Sequence, residues 1–135
     1  MTATITQVKQ GLADRLATIN GLRAYAYQPD QLNAPMAFSL VDSINYHRTF
    51  NTPTVEMTFT VTVIVCKANS RSAQSQVDPY VSPTGNLSVR EAIEADPTLG
   101  GVVDSLIVTT AGAMQIVSGD DADYLSVDFK VTVYA

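Results

Sequence analysis

Residues Thr54 to Cys66 constrain the fold more than any other stretch of the chain. Val55, Met57, Phe59, Val61, Val63 and Val65 alternate there with Thr54, Glu56, Thr58, Thr60 and Thr62. Period two puts the apolar side chains on one face of an extended strand and the hydroxyls on the other. At about 3.3 Å per residue the run spans roughly 40 Å, about twice a usual strand. Such a strand needs a sheet around it, and part of it is expected to reach beyond its own subunit. Tyr124 to Tyr134 repeats the pattern, with Leu125, Val127, Phe129, Val131 and Val133 on one face.

The remaining elements read off their own periodicities. Ile5, Val8, Leu12, Leu16 and Ile19 recur at helical spacing; Thr4 with Gln7 forms a capping-box pattern, and Asn20-Gly21 supplies the stop. Leu22 to Tyr27 reads as a short strand, Pro29 to Pro35 as a turn-rich connection, and Pro35 to Val41 as a second strand. Asp42 to Pro53 has neither period and reads as a projecting loop or a hairpin tip. Asn69 to Val81 looks helical, with Ala73, Val77 and Val81 on one side and Pro79 expected to kink or end it. Ser88 with Glu91 repeats the capping-box pattern and opens a short helix closed by Asp96-Pro97. Gly100-Gly101 releases a strand within Val102 to Val117, interrupted near Ala111-Gly112-Ala113, and Ser118 to Ala122 reads as a hairpin turn. No repeat or linker divides residues 1–135. The expectation is one α+β domain, a mostly antiparallel sheet with two or three helices packed on one face.

Chemistry is harder to find. His47 is the only histidine and Cys66 the only cysteine, so one copy can form neither a paired-histidine metal site, nor a nucleophile–histidine couple, nor a disulfide. The glycines fit no phosphate-cradle pattern. Asp120, Asp121 and Asp123 lack the alternating spacing of a calcium loop and read as a solvated hairpin. Glu91 with Glu94 or Asp96 reads as a favourable partner of a helix dipole. Thirteen acidic residues oppose eight basic ones, a net charge of −5 without a Lys/Arg cluster, which argues against gripping nucleic acid. No run of eighteen apolar residues and no signal segment appears, so the expectation is a soluble protein made in a cytoplasm. Neither a cofactor nor an enzymatic activity is expected.

Long Thr/Val strands are hazardous when an edge stands open. Only Glu56 guards the first, and only Asp128 and Lys130 guard the last, so a second subunit is expected to cover at least one edge. Head-to-tail contact between copies gives a ring or a filament. Tyr46, Arg48 and Phe50, with Thr54 and Glu56 at the adjoining strand end, are the candidate interface residues, because aromatic residues and arginine carry most interface energy.

Four segments then suggest a family: GLRAYAYQPDQLNAPMAFSLV, VEMTFTVTVIV, SRSAQSQVDPYVSPTGNLSVREAIEADPTLGGVVDSLIV and YLSVDFKVTVYA. In this order they resemble the tail terminator proteins of siphophages that infect actinobacteria, over more than half the chain. The most distinctive piece is Pro83 to Asp104. The resemblance implies a fold similar to that of tail tube subunits, and a homohexameric ring that caps the tube, ends its polymerisation and joins tail to head. Its implied partners are the major tail tube protein and the head-side connector, with genome DNA passing through unbound and no membrane involved. It implies a location in the virion, at the tail neck. Six copies would multiply the net charge of −5, and Asp120, Asp121 and Asp123 are candidates for lining an acidic lumen. The alternatives are another neck or head-completion protein, a tube subunit or, from a different class, a small-ligand-binding domain or enzyme.

Overall fold

The structure, a computed structural model, describes residues 4–19, 21–27, 35–46, 55–67, 73–112, 114–118 and 123–134. The expected turn-rich connection before Pro35, most of the 42–53 loop, the first residues of the second helical segment and the turn after Ser118 lie outside the described residues.

Three helices and six strands follow in chain order: α1 (Ile5–Leu16), β1 (Arg23–Tyr25), β2 (Met36–Asn45), β3 (Glu56–Lys67), α2 (Ala73–Val81), α3 (Val89–Glu94), β4 (Ser105–Ala111), β5 (Gln115–Ser118) and β6 (Asp123–Tyr134). They make an α+β fold with one sheet ordered β1-β2-β3-β6-β4, in which β5 also pairs with β6. All pairings are antiparallel except β1 with β2.

The capping box at α1 forms as expected: the Thr4 hydroxyl accepts from the Gln7 amide at 3.2 Å, and the Gln7 side chain accepts from the Thr4 amide at 2.9 Å. The helix ends at Leu16, short of Asn20-Gly21, because its last turn tightens. Thr18 and Ile19 donate back only three residues, and the Thr18 hydroxyl also takes the Arg15 carbonyl at 2.6 Å. In α3 only half of the predicted box exists. Ser88 accepts from the Glu91 amide, but the Glu91 carboxylate turns to the Gly85 amide at 2.6 Å, while Ser88 N donates to Gly85 O. α2 runs through Pro79 to Val81 instead of stopping, with the proline exposed to solvent and Ser82 closing the end on the Asp78 carbonyl.

The two long strands are central, which corrects the expectation that an edge of theirs stands open or reaches past the subunit. β3 is paired with β2 from Ile64 to Glu56 and with β6 over its full length; β6 is paired with β4 and β5 on its other side. Their length is satisfied within one copy. Bulges at Val41/Ser43, Ile64/Cys66 and Val108/Thr110 interrupt the ladders. Asp42 to Asn45 belongs to β2, so the segment read as a loop from Asp42 onward begins as strand.

The alternating apolar residues of β3 and β6 all face the helices. Val8, Leu12 and Leu16 of α1, Val77 and Tyr80 of α2, and Val89 and Ile93 of α3 pack on Met57, Phe59, Val61, Val127, Phe129 and Val131. Each such burial contributes about 1.5–3 kcal/mol. A second cluster of Met36, Phe38, Ile64 and Tyr124 lies across the sheet from the helices. The rest of that helix-free face is polar. Lys130 reaches Asp42 across β3 and donates to the Thr60 hydroxyl at 2.7 Å, and Thr62 donates to Asp128 at 2.9 Å.

The distinctive 96–104 segment has a structural role. Leu99, Gly100 and Gly101 take φ of 51°, 72° and 92° in succession. Asp96 accepts from the Gly100 amide at 2.9 Å, and the Thr98 carbonyl accepts from Gly101 and Val103. This left-handed turn drives the Leu99 side chain into the core against α1 at Gly11.

Candidate assembly surfaces at the sheet margins

With β3 and β6 internal, the open margins are elsewhere. Among the described residues β1 covers only Met36 to Phe38 of β2, leaving the edge from Ser39 to Asn45. At the other side β4 and β5 pair with β6 alone.

Both margins are apolar. Among the described residues, the large hydrophobic side chains left exposed are Tyr27, Leu40, Val41, Tyr46, Ile107, Met114 and Ile116. None is on a helix: Leu40, Val41 and Tyr46 belong to the β2 margin and Ile107, Met114 and Ile116 to the β4–β5 margin, while Tyr27 follows β1. Exposure reaches 65% at Tyr46 and 66% at Ile116, so these side chains gain most from a cover.

The β4 margin carries one guard. Glu94 of α3, ion-paired to Arg90 at 3.0 Å, accepts the Val108 amide at 3.0 Å beside the bulge. A backbone donor that an incoming strand would use is thereby taken by the protein's own carboxylate. The β2 margin is marked by its bulge and by Asp42. Bonding to Lys130, and to a lesser extent to Thr60, holds the Asp42 carboxyl below its ordinary range against the opposing effect of burial.

Between α2 and the β4–β5 break lies a cleft of about 350 Å³ with Val77, Val81, Met114 and Val127 on its walls. Asp78 is the only charged residue lining it, so it lacks the convergent polar groups of a small-molecule site. Burial pushes the Cys66 thiol up, away from the thiolate form that nucleophilic chemistry needs. Among the described residues no three His, Cys, Asp or Glu side chains converge on a metal position, and no helix is long and apolar enough to cross a membrane.

The structure separates the sequence candidates. Tyr46 is exposed just past β2, and half-buried Glu56 starts β3 opposite Asn45, so both sit at one end of the sheet. Asp123 is exposed at the start of β6, at the other end, since Glu56 pairs with Tyr134. About 36 Å of strand lies between them at the usual rise per residue. Arg48, Phe50, Thr54, Asp120 and Asp121 lie outside the described residues, as does His47. Sequence reasoning missed Leu40, Val41, Ile107, Met114 and Ile116. Each sits in an unremarkable strand pattern, and only the strand order reveals it as marginal.

No protein family compared with the sequence matches it, and neither does any curated protein.

Proposed function

We propose that this chain is a structural, non-enzymatic protein that works by assembling with copies of itself, as a ring of the tail-terminator kind that caps a phage tail tube, ends its polymerisation and joins it to the head connector. The observation that carries the self-assembly reading is the confinement of exposed large apolar side chains to the margins of one sheet. A monomer gains nothing from this arrangement, whereas a neighbour placed on either side removes it from water. The tail-terminator reading adds the resemblance of the four sequence segments and the α+β fold to that observation. It assigns the acidic stretch Asp120, Asp121 and Asp123 to the passage for DNA, in keeping with the net charge of −5.

Mass in solution across a concentration series, followed by electron microscopy with and without tail tube protein, tests the proposal. Discrete rings that bind tube ends are expected, with the acidic stretch on the lumen in a reconstruction. Long tubes would reassign the chain as a tube subunit, and monomers under every condition would refute self-assembly.

A further inference from the structure

The two margins differ in charge as well as position. α1, which lies on β1 and β2, and those two strands carry Lys9, Arg15 and Arg23 against Asp14 and Asp42, a net of one positive charge. From α2 through β4 the chain carries Asp78, Glu91, Glu94, Asp96 and Asp104 against Arg90 alone, a net of four negative charges. Two copies meeting through their β4 sides would set acidic surface against acidic surface, at a cost that a β2-to-β4 contact avoids.

Strand direction agrees. β2, β3, β6 and β4 alternate, so β2 of one copy and β4 of the next run antiparallel when two sheets are set side by side in the same orientation. Because Glu94 already holds the Val108 amide, the contact at that level is made by side chains and not by a continued ladder.

We infer that a second copy of this chain docks head to tail, with Leu40, Val41 and Tyr46 of one copy packing on Ile107, Met114 and Ile116 of the next. The inference rests on the self-assembly reading above and adds which surfaces meet. Such a contact is heterologous and leaves each copy one unused margin of each kind, as a ring requires.

The test uses two full-length double variants, Leu40→Glu with Tyr46→Glu and Ile107→Glu with Ile116→Glu. These four side chains are 41% to 66% exposed in the single chain, so the variants keep their fold. Each variant alone should sediment as a monomer. An equimolar mixture should form a species of twice the monomer mass with one copy of each, and nothing larger, because one intact interface remains. Dimers from either variant alone would show like-with-like pairing and overturn the inference. So would the absence of a mixed dimer when wild-type protein assembles. Wild-type protein that never assembles would instead remove the self-assembly reading itself. Serine at the same four positions, with the same mixing readout, repeats the test should a glutamate pair impair folding.

Discussion

Gly11 and Leu99 show how one residue decides another. A Cβ on Gly11 would lie 3.0 Å from the Cβ of Leu99 and 3.1 Å from its Cδ1. Leu99 has little freedom to yield, since its left-handed backbone is fixed by the hydrogen bonds of the following turn. Alanine is the better helix former by about 0.5–1 kcal/mol, yet the clash should win. Gly11→Ala is expected to lower unfolding stability by about 1 kcal/mol in urea titration, and a stabilised variant would show that Leu99 can move. Asp42 supports a second prediction. Its carboxyl is held below the ordinary range by Lys130, so the folded form favours the ionised group. The stabilisation is therefore present above the unfolded aspartate pKa, about 3.9, and is lost as pH falls through the lower folded value. Asp42→Asn should narrow the stability difference between pH 7 and pH 3 slightly, the pair being 43% exposed on both sides. An unchanged difference would mean that the ion pair contributes nothing.

At the scale of elements, Glu94 links a short helix to the β4 margin. Glu94→Ala frees the Val108 amide, and hydrogen bonds to charged groups contribute about 1.5–3 kcal/mol. Amide exchange at Val108 should accelerate about tenfold or more, with stronger self-association if the carboxylate keeps other strands away; exchange at the wild-type rate would remove Glu94 from that role. The elements themselves were largely legible. Period two in β3 and β6 and the stripe of α1 are local signals, and Thr4 with Gln7 completes its own cap. Ser88 with Glu91 shows the limit of that logic. The same spacing forms half a box there, because the Gly85 amide, six residues before Glu91, is a competing donor. Glu94 capping Val108 joins residues from different elements, and no spacing rule encodes it.

For the whole molecule, the decisive property is strand order, which individual strands do not specify. The alternation of Val and Thr in β3 states that one face is buried; it says nothing about which strand lies on either side. Long, lightly guarded strands were therefore expected at an edge and proved central, while Ile107 and Ile116, in shorter strands, proved marginal. The apolar margins belong to the fold as a unit. So does their opposite charge, which arises from residues scattered between Lys9 and Asp104.

The position of β6 also sets a timetable. It is the strand that β3, β4 and β5 all pair with, and it follows every one of them along the chain. On the ribosome β3 must therefore emerge with one flank bare and wait while more than fifty residues are added, and β4 and β5 wait in turn. Closure of the sheet is a late, long-range event, which makes the nascent polypeptide dependent on chaperones or on rapid synthesis until β6 arrives.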